Sequence, residues 1–306
     1  MSHRVLVMGW HNVAATYGFP APEGRAERGF KSQMKALARL ATVLPLDEAL
    51  GRLAAGESLP PRAVAITFDD GYRDNLTLGV PVLEELGLPA TFFLVPELLS
   101  GNIDAWWETI GWALDESDRA SFSWEGVTFT LNGSDRQSAY SPIVRRLKRM
   151  SKAKRDEAMR ELLEVLAPAG DPPELFMDWE GARELVRRGF SVQSHTLNHV
   201  VLSEETPEEQ LRELAEGRTR LESELDIKIS SIAYPQGTPV DYDQVTVAAA
   251  AEAGYKWGLT TREGFTTATT PTLEIRRCVI YPERGIADLL AQLRYMLRDK
   301  LRGADS

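Results

Sequence analysis

The chain has 306 residues, 43% of them hydrophobic and 26% charged, enough to bury a sizeable core and unlike a disordered polymer. A formal charge of -10 works against a general nucleic-acid partner, whose phosphates it would repel. One cysteine, Cys278, excludes an intrachain disulfide and a cysteine-based zinc site.

Arg4 to Met8 predicts a first strand with Trp10-His11-Asn12 at its end. The opening residues lack the basic stretch, long apolar core and small-residue cleavage site of a secretory signal, and no apolar run approaches the ~20 residues of a membrane helix. A cytoplasmic setting is therefore the expectation. Ala14 to Gly29, rich in Gly and Pro, reads as a surface loop. Phe30, Met34, Leu37 and Leu40 recur at helical spacing, predicting a helix over 30–41, and a short helix over 46–53 follows.

Val64 to Tyr72, V-A-I-T-F-D-D-G-Y, is a buried strand that ends in two carboxylates and a glycine. A helix over 80–86 stopped by Gly87 and a strand over 90–95 come next, and strand, helix, strand favours a parallel crossover. About 103–170 breaks this rhythm. It holds Trp106, Trp107 and Trp112 in a helix, a hairpin around Glu125-Gly126, and a basic helix over 141–167, and reads as an insertion in a single domain spanning 1–306. Adjacent Trp106 and Trp107 read as partly core or as a sugar-stacking wall. The basic run Arg145, Arg146, Lys148, Arg149, Lys152, Lys154 and Arg155 reads first as a solvated face. Its second reading is peripheral contact with an anionic membrane or a lipid-linked sugar.

The rhythm returns with a helix over 179–188 and a strand over 190–193 that runs into S-H-T-L-N-H. Then come a helix over 207–225, a strand over 229–233, a helix over 245–253, strands over 256–260 and 273–280, and a terminal amphipathic helix over 286–301. Repeated strand-then-helix units suggest a parallel barrel or an open α/β sheet.

Two chemistry-bearing clusters follow predicted strands. Adjacent Asp69 and Asp70 point to opposite sides of an extended backbone and would repel each other unless a divalent cation took one of them. Asp-Asp-Gly is also an ordinary turn. His195 and His199, two of only four histidines, are spaced so that both imidazoles could share a metal. Two histidines and one carboxylate leave positions open for water or substrate, and the second carboxylate could act as base, a set suited to amide or ester hydrolysis.

T-F-D-D-G-Y at Thr67 to Tyr72, S-H-T-L-N-H at Ser194 to His199 and A-Y-P-Q-G at Ala233 to Gly237 resemble the ordered motifs of the polysaccharide deacetylases, the NodB-homology or carbohydrate esterase family 4 proteins. The opening W-H-N-V is similar to that of the exopolysaccharide-type branch. The resemblance implies a distorted (β/α) barrel, a general base in Asp69, and a metal, zinc first, held by Asp70, His195 and His199. It further implies an oxyanion contact from the Tyr234-Pro235-Gln236 loop, with the Gln236 backbone N–H as donor, and a loop-ordering role for Thr196. Two departures stand out. Ala233 sits where many members carry an arginine, and no histidine follows His199 to serve as the late general acid. Arg277 is the candidate replacement cation beside Asp69. Of His3 and His11, His11 is the candidate acid, with a structural histidine as the rival reading.

The sequence thus predicts a metal-dependent deacetylase of an N-acetylated sugar or glycan, with Trp107 as a candidate substrate contact. Hydrolysis of a small non-sugar amide and a glycan-binding protein without turnover are the alternatives.

Overall fold

Short apolar runs form the strands of one curled sheet in this computed structural model, which describes residues 2–133, 135–291 and 293. At its centre β1 (Arg4–Trp10) and β3 (Ala63–Phe68) pair in parallel from Leu6–Val64 to Trp10–Phe68. β2 (Thr42–Val43) edges β3. β4 (Thr91–Leu94), β7 (Ser191–Ser194), β8 (Ser231–Ala233) and β9 (Trp257–Leu259) continue the sheet, all parallel. On its other side β1 carries β10 (Thr266–Thr267), antiparallel, and β11 (Arg277–Val279), parallel. A lone bridge, Leu259–Ile275, joins β9 to the lead-in of β11, so the curl closes into a distorted (β/α) barrel.

Strand alternation separates the two faces. Leu6, Met8, Trp10, Ile66 and Phe68 pack outward with helices α1 (Arg25–Leu40), α3 (Val80–Leu86), α8 (Trp179–Arg187), α9 (Pro207–Leu225) and α10 (Gln244–Glu252). Val5, Val7, Ala65, Phe93, Ala233 and Leu259 form a separate inner cluster that α2 (Leu46–Ala54) closes from below with Leu46, Ala49, Leu50 and Leu53. The starts of α8, α9 and α10 are fixed by side-chain caps. Asp178 accepts from the Gly181 N–H, Thr206 from the Glu209 N–H with Pro207 next, and Asp243 and Thr246 form a reciprocal box.

After β4, a short helix α4 (Pro96–Leu99) leads into the insertion. There α5 (Trp106–Glu116), the hairpin β5 (Ser121–Trp124) and β6 (Val127–Thr130), α6 (Asp135–Leu147) and α7 (Lys152–Leu166) surround their own core of Trp112, Phe122, Ile143 and Leu162. Glu125 and Gly126 both take positive φ, the requirement of a two-residue hairpin turn.

Three expectations are corrected. The helix expected from residue 30 begins at Arg25, because the small residues Ala26 and Gly29 are buried packing positions rather than loop residues. The single basic helix expected over 141–167 is two, divided where Ser151 turns to extended backbone. The strand expected over 273–280 contracts to Arg277–Val279, since a Glu274 N–H to Pro271 carbonyl turn occupies its first part. The terminal helix expected over 286–301 is helical at 285–291, and 294–301 lie outside the described residues.

Gly29 allows α1 to meet the turn at Pro282, whose carbonyl oxygen would lie 1.9 Å from an added Cβ. Gln33 of the same helix accepts from the Trp10 indole N–H and donates to the carbonyls of Tyr281 and Gly285. Gly29→Ala should therefore cost about 1–3 kcal/mol of stability by overpacking, read as a lowered denaturation midpoint with an unchanged m-value.

Candidate active site

The strand ends gather the polar residues. Asp69 continues β3, its N–H bonded to the Trp10 carbonyl at 2.9 Å, and the chain then turns left-handed through Asp70 (φ 72°) and Gly71 (φ 85°). This turn sends the neighbouring carboxylates to different partners. Asp69 Oδ1 accepts from Arg277 Nη1 at 2.6 Å, and Arg277, 1% exposed, also donates to the Thr67 hydroxyl at 3.3 Å. Gly9, level with Thr67 on β1, leaves room for Arg277, whose Cδ would lie 3.2 Å from a Cβ there. Asp70 Oδ1 instead lies 3.2 Å from both His195 Nε2 and His199 Nε2.

Both histidines belong to the loop after β7, which takes positive φ at Thr196 and His199. Glu213 of α9 holds that loop, accepting from the N–H groups of Leu197 and Asn198 and from the Asn198 side chain. Gly217 lets the loop rest on α9, because a Cβ there would meet the Thr196 backbone at 2.8 Å. The Thr196 hydroxyl is buried without a partner among the described residues.

Asp70, His195 and His199 fit a metal on chemical grounds. Their ligand atoms lie within 4.8 Å of one another and all three residues are buried. His195 Nδ1 faces the Ala233 carbonyl at 2.7 Å, which can only accept, so that nitrogen carries the proton and Nε2 offers its lone pair inward. Among the described residues Asp70 Oδ1 has no donor apart from these two imidazoles, should one carry a proton on Nε2. The set could hold a divalent cation.

Electrostatics separate the two histidines. Burial pushes Asp70 up, yet the two imidazoles hold its carboxyl well below the usual range. Burial pushes His199 down, favouring the neutral ligand form. Burial also pushes His195 down, but the carboxylates of Asp70 and Asp69 outweigh it and hold His195 above the ordinary histidine range. Asp69 is driven up by burial and brought below the carboxylate range by Arg277, His195 and His11.

The cleft above these groups holds about 500 Å³ and is lined in part by His11, Trp107 and Gln236. His11 Nε2 stands 4.0 Å from Asp69 Oδ2, with its ring stacked on Phe19. His3 is exposed and precedes β1, at the opposite end of the strand from His11. Trp107, 7% exposed, tilts over His199 with ring centroids 4.4 Å apart. Tyr234 faces the core: its N–H bonds the Leu259 carbonyl, its hydroxyl bonds the Leu273 carbonyl, and its ring stacks on Tyr242. Pro235 is buried behind it, and exposed Gln236, at φ 62°, is the member of this loop that lines the cleft.

Sequence reasoning missed a buried network that fixes the His11 loop. Trp107 Nε1 donates to the Tyr72 hydroxyl at 2.8 Å, and Tyr72 donates to Glu108 at 2.7 Å. Glu108 also accepts from the Thr16 hydroxyl and the Gly18 N–H, while Asp74 accepts from the Val13 and Ala14 N–H groups and Asn75 donates to the His11 carbonyl. Burial pushes Asp74 up to about 6 and Glu108 upward. No sequence pattern flags these residues, although Tyr72 closes the D-D-G-Y motif.

A family model for polysaccharide deacetylase matches residues 56–258, two thirds of the chain and both clusters. The chain belongs to the polysaccharide deacetylase family. Among curated relatives of this family, the polysaccharide deacetylase homologue YxkH of Bacillus subtilis (strain 168) is 22% identical over 263 residues. The match covers 85% of this chain, which spans 66% of the length of YxkH. The Streptococcus pyogenes deacetylase PplD, solved in complex with acetate, shares the fold with a TM-score of 0.64 at 20% identity, covering 95% of this chain and 99% of PplD. IcaB from Ammonifex degensii gives 0.59 at 19% identity over 95% and 97% of the two chains, and the BpsB deacetylase domain from Bordetella bronchiseptica 0.59 at 18% over 91% and 96%. The distorted barrel is therefore of the NodB-homology, carbohydrate esterase family 4 type.

Because His195 is held above its ordinary pKa by the carboxylates a cation would share, zinc uptake should release a proton and weaken as pH falls through that raised value. Calorimetry in buffers of different ionisation enthalpy checks this. His195→Ala should weaken zinc binding by more than the roughly 10–100-fold that loss of an outer hydrogen-bond partner costs.

Proposed function

We propose that this polysaccharide deacetylase family member hydrolyses the N-acetyl group of an amino sugar within a glycan, as a metal-dependent hydrolase of carbon–nitrogen bonds. The observation that carries the reading is the division of labour between adjacent carboxylates, Asp70 against two imidazoles and Asp69 against Arg277. Asp70, His195 and His199 would hold the metal, zinc by preference for this donor set. When bound, it supplies Lewis-acid polarisation of the acyl carbonyl.

The remaining chemistry belongs to the chain's own side chains. Asp69 takes the proton of the attacking water, and Arg277 keeps it ionised and aimed. The Gln236 backbone N–H, at the rim of the cleft, suits the oxyanion that attack creates. His11, within 4.0 Å of Asp69, delivers a proton to the departing amine, a position supported by the stacking of Phe19 and the bond from Asn75. Trp107 offers its face to the sugar beside His199. Residues 103–170 belong to the same catalytic unit as an insertion, since α5 supplies Trp107 and the Glu108 carboxylate that holds the His11 loop. Among the described residues no helix is long and apolar enough to cross a membrane.

Acetate release from N-acetylglucosamine oligomers should stop with chelator and return with zinc. Asp69→Asn should retain zinc and lose about 10²–10⁴-fold in kcat; full activity would remove Asp69 as the base. His11→Gln should lower kcat about a hundredfold with zinc content unchanged, and unaltered turnover would return His11 to a structural role. Arg277→Met strips away the main cation opposing burial, so the Asp69 pKa rises and the acid limb of the kcat/KM profile moves to higher pH. An acid limb that stays in place would discard the pairing as a catalytic device.

A further inference from the structure

A second cavity, of about 310 Å³, adjoins the cleft and shares Trp106, Trp107 and His199 with it. One wall is Arg155 of α7, a guanidinium only 2% exposed, with its Cζ 5.3 Å from the ring centroid of Trp106. Arg155 Nε and Nη1 and the Trp106 indole N–H are buried and have no hydrogen-bond partner among the described residues. The expected solvated basic face is kept by exposed Arg145, Arg146, Arg149 and Lys154 and fails at Arg155. Lys148 and Arg149 spend their charge on buried Asp241, and Lys152 pairs with Asp156, whereas Arg155 turns inward.

The other charges around the cavity do not fill these donors. Asp156, Glu205 and Glu213 act on Arg155 through space, without a hydrogen bond to it. Arg160 is paired with Glu157, and Asp104 stands exposed at the rim. A buried cation with open donors is costly, and a planar guanidinium fork suits an oxyanion above other ligands. His199, Trp106 and Trp107 line both cavities, so a group seated on Arg155 would lie beside the reacting acetamide.

We infer that this cavity is a subsite for an anionic substituent of the glycan, a carboxylate or a phosphate, seated on Arg155 and the Trp106 N–H while the neighbouring N-acetyl group occupies the cleft. The inference rests on the deacetylase reading for its substrate and deepens it: the preferred glycan is acidic.

Three oligosaccharides separate the cases: a neutral N-acetylglucosamine tetramer, one alternating with glucuronic acid, and one joined by phosphodiesters. Each is assayed for acetate release by the zinc-loaded protein and, by calorimetry, for binding to Asp69→Asn, which needs no turnover. One or both acidic oligosaccharides should exceed the neutral one in kcat/KM and affinity, and which one does identifies the substituent. Arg155→Met should lose about 10–100-fold on the preferred acidic ligand and little on the neutral one. Its melting temperature should hold or rise, because an unpaired buried cation is gone. Arg155→Lys, which keeps the charge without the fork, should lie between, and serves if the Met variant does not fold. Equal losses on neutral and acidic ligands, or no preference for either acid in the wild type, would overturn the inference. Arg155-dependent binding of an acid without acetate release from any oligosaccharide would uphold the subsite while defeating the hydrolase reading. Release from all three alike, indifferent to Arg155, would do the reverse.

Discussion

Two carboxylates one peptide bond apart cannot both be buried as anions unless each is given its own positive partner. At Asp69 and Asp70 the structure sends the two groups to different partners, a guanidinium and a pair of imidazoles, and much of the molecule follows from it. A left-handed turn at Asp70 and Gly71 separates the two groups. Asp69 remains in line with the inner face of β3, where Arg277 arrives from the last strand across the gap left by Gly9. Asp70 swings to the imidazoles that follow β7. Parallel strands place all these chain segments at one rim of the barrel, and α2 seals the other.

Holding that rim in shape has a conformational cost. Among the described residues, eight other than glycine take positive φ, and Asp70, Thr196, His199 and Gln236 are four of them. Such backbone persists only where its surroundings over-determine it. Glu213 does so for the histidine loop with three accepted hydrogen bonds, and Glu108 and Asp74 anchor the loop that carries His11, which has no such residue, by the same kind of bond. Buried carboxylates outside the reacting set thus act as anchors for backbone N–H groups; burial raises the pKa of Glu213, Glu108 and Asp74, and the N–H bonds they accept pull each back only in part.

Much of this was legible in the residues. The β3 run ending in Asp69-Asp70, the His195 and His199 pair, and Arg277 as the cation for Asp69 are each marked by type and by place at a strand end, and the geometry brings them together. Helix and strand order followed from periodicity, since apolar spacing reports which face is buried. What stayed hidden depends on contacts between distant segments. The inward turn of Arg155 from an otherwise outward-facing basic run, the core-facing Tyr234, and the start of α1 at Arg25 are set by packing partners far along the chain. Local pattern carries no record of such partners. Gly9 and Gly29 look like any glycine until the group occupying the space of the missing side chain is known.

The barrel is fastened unevenly. Five register pairs join β1 to β3, whereas one pair, Leu259–Ile275, closes the seam between β9 and the lead-in of β11, backed by the Ile275 N–H to the Gly258 carbonyl and the Thr260 N–H to the Ile275 carbonyl. Arg277 is two residues beyond that pair, and its own N–H reaches the Arg262 carbonyl across the same gap. The surroundings of Asp69 are in this way tied to the seam, whereas the loop of His195 and His199 is tied to α9 on the far side of the rim.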